Sequence, residues 1–338
     1  MRKRLSHQIT LLLFFLTVAI ISIGSICDSK MLWLKQEEIS SKIVQTVPLS
    51  LAQKPVATKI ISHALGQVKI PIHPQRIVVL DAKGEFILDA LLALGIKPVG
   101  LTRCSTCINS DPFSEFLGSL PTVGNEEQPS LEKILSLKPD LIIGYDWQRN
   151  FYPLLSKIAP TIMINIYSNG NDFKRHFKYL AEILDRGDRA EGILTEYNER
   201  IRKFRQQFGE RLEAKTVSLL GFWGSTIHVY KPELLFHAQV MRDAGIQFIP
   251  TYENLKDDYL RLNIETVSDW DADFLFIDFY YKEEFENLKS LSFLKEPIWL
   301  TLKAVRNKQV YITTWAGGGP IMANQLVDEL YGYFINKL

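Results

Sequence analysis

"SLEKILSLKPDLIIG" at 130–144 is answered far along the chain by "NIETVSDWDADFLFI" at 263–277. Overlaid, Leu131 meets Ile264, Glu132 meets Glu265, Ile134 meets Val267, Leu137 meets Trp270 and Asp140 meets Asp273, and three apolar residues follow each aspartate. Each copy reads as a short helix, a turn and a buried strand: apolar residues at helical spacing, then a continuous apolar run. Ser130 and Asn263 are both good N-caps. A helix–turn–strand unit made twice predicts two lobes built alike, so that whatever Glu132 does on one, Glu265 can do on the other. A bland duty also suits both glutamates, because an acid in the first turn stabilises a helix by about 0.3–1 kcal/mol through the helix dipole.

Working outward, the same grammar fills the chain. "RIVVL" (76–80) is a buried strand, "EFILDALLAL" (85–94) has helical spacing with Gly95 placed as a C-cap, and "KPVGL" (97–101) resumes extended structure. The strands "DLIIG" (140–144) and "TIMIN" (161–165) flank a helix near 150–158. Farther on, "TVSLLGF" (216–222) and "TIHVY" (226–230) read as hairpin strands, "LLFHAQVMRDAG" (234–245) as a helix, and "DFLFID" (273–278) and "QVYIT" (309–313) as strands. Helices and strands in alternation imply an α/β protein with mainly parallel sheets covered on both faces. Residues 172–211 contain no proline and are dense in helix formers. With a break at Gly187 and Asp188, the second part supports about 24 helical residues, roughly 36 Å at 1.5 Å per residue, enough to reach from one lobe to the other.

At 338 residues the chain exceeds the usual single core, in agreement with two lobes. With 39 basic and 38 acidic side chains it lacks the excess charge of a nucleic-acid binder. The start differs from the rest. "MRKRLSHQ" is basic and residues 9–26 run without a charge, which fits a secretory signal or a retained membrane anchor and puts the folded part outside the cytoplasm. Cys27 is either lost with the signal or a lipidation site, and residues 28–57 read as a polar tether. The two remaining cysteines, Cys104 and Cys107, are expected to form a small disulfide staple in an oxidising compartment, because "TRCSTCINSDP" continues into turn residues rather than opening the helix of a redox motif.

The segments "PQRIVVLDAKGEFILDALLALGIKPVGL", "VGNEEQPSLEKILSLKPDLIIG", "LSKIAPTIMI" and "WLTLKAVRNKQVYIT" resemble, in the same order, those of the periplasmic substrate-binding proteins of iron-siderophore ABC importers. The likeness runs from about residue 60 to the C-terminus. It implies two α/β lobes (58–171 and 212–338) joined by one long interdomain helix within 172–211, ligand in the cleft, and only small closure. It also implies that Glu132 and Glu265 meet arginines of a dimeric membrane permease, one from each lobe. The ligand implied is a ferric siderophore or ferric citrate-like chelate, carried as cargo with no cofactor, by a protein expected to be a monomer. Haem or cobalamin is the alternative within the same fold.

In open α/β lobes, ligands bind beyond the carboxyl ends of the strands. The aromatic and cationic residues placed there are Arg103, Trp147, Arg149, Trp223, Tyr230, Lys231, Tyr280 and Trp315. Flat rings suit the organic shell of a chelate, and Arg or Lys suits its anionic oxygens, although aromatic residues after strands also serve lobe packing. A bare-metal site is not read: outside the first 27 residues His63, His73, His176, His228 and His237 form no H-x-H or H-x-x-x-H pair. Nor does the sequence carry a G-x-S-x-G elbow or an H-E-x-x-H helix, so an extracytoplasmic hydrolase, the rival from another class, has no nucleophile or catalytic residue to point to.

Overall fold

Two sheets, each built around one copy of the repeated unit, organise the chain. In this computed structural model the residues described are 57–81, 86–104, 113, 118–166, 172–223, 226–279, 292–315 and 318–335. The basic, apolar N-terminal segment, Cys27 and the tether up to residue 56 lie outside them, and Ala57–Leu338 form one compact unit. Among the described residues no helix is long and apolar enough to cross a membrane.

The first lobe opens with an antiparallel hairpin of β1 (Thr58–His63) and β2 (Gly66–Pro71). Its sheet contains β3 (Ile77–Val79), β4 (Gly100–Leu101), β5 (Leu141–Tyr145) and β6 (Thr161–Ile164) in the order β4-β3-β5-β6, all parallel. Helix α1 (Ile87–Ala93) follows β3, α2 (Leu131–Ser136) precedes β5, and a 3-10 turn with the short α3 (Tyr152–Leu155) follows it.

Two helices then cross to the second lobe: α4 (Phe173–Ile183), capped by the Asp172 carboxylate, and α5 (Gly187–Leu212). Alpha5 has 26 residues, so it spans about 39 Å at 1.5 Å per residue. Its buried residues Ala190, Leu194, Tyr197, Ile201, Phe204, Phe208 and Leu212 recur every three or four positions and make one apolar stripe. The joint between the two helices differs from the expected one. Asp185, with φ of 56°, takes the left-handed position after the Leu184 cap, and Arg186 N–H donates back to the Ala181 carbonyl at 2.8 Å. This is the backbone closure that ends a helix, and Gly187 already belongs to the next one.

The second lobe's sheet is mixed. β7 (Thr216–Trp223), β11 (Phe274–Phe279) and β12 (Val310–Thr313) are parallel neighbours, and β9 (Gln247–Phe248) joins the start of β7 in the same sense. β8 (Thr226–Tyr230) and β10 (Tyr259–Leu262) add on antiparallel, so the expected β7–β8 hairpin forms. Helices α6 (Phe236–Asp243), α7 (Pro297–Thr301), α8 (Lys303–Arg306) and α9 (Pro320–Phe334) complete it.

The repeat is real but not identical. In the first copy Leu131–Ser136 is an α-helix, whereas in the second Ile264–Trp270 winds as a 3-10 stretch. The second copy carries Thr266, Val267 and Ser268 where the first has Lys133, Ile134 and Leu135, and β-branched and hydroxylic residues are poorer helix formers. Both caps form: Lys133 N–H donates to Ser130 Oγ, and Glu265 N–H to Asn263 Oδ1. The two aspartates share one duty. Asp140 accepts from Gln75 and Arg76 N–H at 2.7 and 2.8 Å just before β3, and Asp273 accepts from Thr216 N–H at 3.2 Å at the start of β7.

Alternation along the strands splits the core into three. Leu141, Ile143 and Tyr145 of β5 and Phe274 and Phe276 of β11 face a shared centre, together with Tyr197, Phe204 and Phe208 of α5 and Leu326, Leu330 and Phe334 of α9. Ile142 joins an outer cluster of the first lobe with Val78, Leu80, Ile134 and Met163. Leu275 and Ile277 join an outer cluster of the second with Val267, Trp270 and Trp299. The terminal helix α9 is therefore an interlobe element. The fully buried Asp89 of α1 accepts from the N–H groups of Ile321 and Met322, both at 2.9 Å, and so caps α9 from the other lobe. A Cβ on Gly319 would lie 2.3 Å from the Asp89 carboxyl carbon, so only glycine allows this approach.

Candidate functional site

The carboxyl ends of β7, β11 and β12 open onto a cavity of about 340 Å³ in the second lobe. β7 brings Leu219, Leu220 and Gly221 to it, β11 brings Phe276 and Asp278, and β12 ends there at Thr313. Asp278 organises the rim, because its Oδ1 accepts from Trp315 N–H at 2.9 Å and from the Thr313 hydroxyl at 3.2 Å. That holds the Trp315 indole over the cavity, where its Nε1–H donates to Glu329 of α9 at 2.6 Å. His237, in the first turn of α6, faces the same space with its ring centroid 5.1 Å from that of Trp315. Burial pushes its pKa down to about 4, so the imidazole is neutral. At the mouth Tyr230 and Tyr259 stack at 5.8 Å, and His228 extends the stack behind them.

The first lobe's strand ends are tied together by buried Gln148. Its Oε1 accepts from Tyr145 N–H at 2.9 Å, and its Nε2 donates to the carbonyls of Leu80 and Glu126 at 3.1 and 3.0 Å. Trp147, 42% exposed, lies flat against Tyr145 with centroids 5.9 Å apart and 12° between planes. Tyr145 itself is buried, and its hydroxyl donates to Asp81 and receives Phe86 N–H.

Of the residues named from sequence, Tyr230 and Trp315 line the cavity. Trp147 stands exposed at the first lobe's strand ends. The cations are more engaged than sequence implied. Arg103 donates to the Leu120 carbonyl at 2.9 Å, and Lys231 donates to the Lys256 carbonyl and approaches Asp258 at 3.8 Å. Arg149 pairs with Asp146, three residues before it, at 3.1 Å. The backbone of Trp223 closes β7; its side chain, Tyr280 and Cys107 lie outside the described residues. Cys104 is disulfide-bonded. Glu132 and Glu265 are exposed, and among the described residues neither carboxylate has a side-chain partner. Sequence reasoning missed His237, Phe276, Asp278 and Tyr259. Asp278 had a signal, as the aspartate closing the apolar run "DFLFID", but His237 had none, since its place depends on how α6 folds back over the strand ends.

Residues 77–315 match the family model described as "Periplasmic binding protein". The probable siderophore-binding lipoprotein YfiY of Bacillus subtilis (strain 168) is 31% identical over 297 residues, covering 82% of this chain and 88% of that protein. The achromobactin-binding periplasmic protein of Dickeya dadantii (strain 3937) is 30% identical over 76% of this chain and 85% of its own length. Among solved structures, Staphylococcus aureus SirA complexed with staphyloferrin B superposes with a TM-score of 0.70 at 24% identity, covering 82% of this chain and 99% of that one.

Proposed function

Because this chain belongs to the periplasmic binding protein family, we propose that it is the substrate-binding component of an ABC importer and captures a ferric siderophore between its lobes for delivery to the membrane permease. The observation that carries this reading is the coincidence of two things. The chain aligns over 82% and 76% of its length with relatives named for siderophore and achromobactin binding, and an aromatic cavity opens at the strand ends, where a two-lobed α/β protein holds its ligand. The work is capture without chemistry: Trp147 and the Tyr230–Tyr259 stack offer flat surfaces to a chelate's organic shell, and the cleft excludes water around it. Delivery follows through Glu132 and Glu265. Their exposed, uncommitted carboxylates, one per lobe on equivalent units, suit a two-fold partner with basic sockets. An extracytoplasmic location, anchored or freed, agrees with the apolar N-terminal segment and with the lipoprotein and periplasmic relatives.

The test is a titration of intrinsic tryptophan fluorescence with ferric hydroxamate, ferric catecholate, ferric dicitrate, haem, cobalamin and free metal ions. Saturable quenching by a ferric chelate at sub-micromolar concentration is expected. A response confined to haem, cobalamin or a bare ion would overturn the siderophore assignment.

A further inference from the structure

The second-lobe cavity has an unusual balance of polar groups. Leu219, Leu220, Leu234, Leu235 and Phe276 make its walls apolar. No lysine or arginine is among the described residues that line it, whereas Asp258 and Asp278 are. Among the described residues, a carboxylate entering here would face two acids, and the neighbouring Lys231 already stands 3.8 Å from one of them, Asp258. Two inward polar atoms are engaged: Asp278 Oδ1 by Trp315 and Thr313, and Trp315 Nε1 by Glu329. His237 differs from them. It is 6% exposed, and among the described residues neither ring nitrogen has a hydrogen-bond partner. Its ring nitrogens are not sealed in the core but open to the cavity, so a polar group entering there can pair with them in place of water. As a neutral imidazole it presents one N–H donor and one nitrogen acceptor.

Resting on the ferric-chelate reading above, we infer that this cavity takes an uncharged, hydrocarbon-rich arm of the chelate, and that His237 selects it by hydrogen bonding to one amide, hydroxyl or carbonyl group on that arm. The volume of about 340 Å³ is at the low end for a small-molecule site, the size for an arm rather than a whole chelate. The apolar walls reward the hydrocarbon. The imidazole supplies a single directional contact, and a site built to bond one group rejects ligands that leave its polar atom unpaired.

The experiment compares the affinity of the full chain for two probes: the ferric complex of a linear trihydroxamate with aliphatic amide arms, and ferric dicitrate. The wild type is expected to bind the trihydroxamate at least tenfold more tightly. His237→Phe keeps an aromatic ring against Trp315 and removes the hydrogen bond; it is expected to lose tenfold or more for the trihydroxamate while changing less than twofold for ferric dicitrate. His237→Gln keeps a donor and an acceptor and is expected to stay within about threefold of wild type, a result that stands on its own if the phenylalanine variant does not fold. Unchanged trihydroxamate affinity in His237→Phe, or a glutamine variant tenfold weaker than wild type, overturns the role of His237. Tighter wild-type binding of ferric dicitrate overturns the uncharged arm. Failure of the wild type to bind any ferric chelate overturns the underlying reading instead.

Discussion

Replacing Asp89 by asparagine tests the contact that joins α1 of the first lobe to α9 across the shared core. The carboxyl group is fully buried, and burial raises its pKa to about 7, outweighing the lowering by the N–H groups of Met322, Ile321 and Gly319, while the nearby charge of Asp81 adds to the rise. The unfolded chain releases this proton near the ordinary value of 3.8 and the folded protein near 7. Between those values the folded state therefore binds more protons, so this group's contribution to stability falls as pH rises and levels off above about 7. At about 1.4 kcal/mol per pH unit, the step from pH 5 to 7.5 removes about 3 kcal/mol. Asparagine does not titrate. At pH 5 it costs about 1–3 kcal/mol, because its NH₂ faces one of the two backbone N–H donors. The expected result in urea unfolding followed by tryptophan fluorescence is that wild type is more stable than Asp89→Asn at pH 5, by a margin that shrinks by about 3 kcal/mol at pH 7.5. A margin that stays constant, or widens with pH, would refute the reasoning and mean that the helix N-terminus holds the anion.

Three further outcomes are expected. Glu132→Ala with Glu265→Ala should leave chelate affinity within twofold and lower cellular uptake at least tenfold; normal uptake by the double variant removes both from docking. Gly319→Ala places a methyl group where the Asp89 carboxyl carbon is 2.3 Å away, so a loss of about 1–3 kcal/mol or more is expected from overpacking, read as a lower melting temperature. His237 contributes with the opposite sign to Asp89. Its pKa is lowered by burial from 6.5 to about 4, so the unfolded state takes up a proton first and stability is lost as pH falls from 6.5 toward 4. The margin of wild type over His237→Phe should drop by about 3 kcal/mol across that window, measured by the same unfolding assay.

How much of this was legible in the sequence depended on distance along the chain. The repeat gave two lobes, their strands and the equivalence of Glu132 with Glu265, because helix periods, apolar runs and N-caps are local patterns. The joint between α4 and α5 was sought at Gly187, yet Asp185 adopts the positive φ, a position aspartate tolerates and that glycine bias obscures. The Asp146–Arg149 pair is local and legible in its i, i+3 spacing. The cavity was legible only along its strand ends. Tyr230 and Trp315 follow strands, whereas His237 and Tyr259 arrive through tertiary packing. The Asp89 cap, 232 and 233 positions from its partners, leaves no trace in any window of sequence.

That separation governs how the protein folds. Helix α9 packs against α1 of the first lobe, whose buried Asp89 meets its partners only when Ile321 and Met322 arrive. Contacts between such distant segments require closing a very long loop before they return any free energy, which slows their formation. The first lobe thus stays incomplete until α9 has arrived. Helix α9 acts as a latch whose arrival commits both lobes to the folded state together.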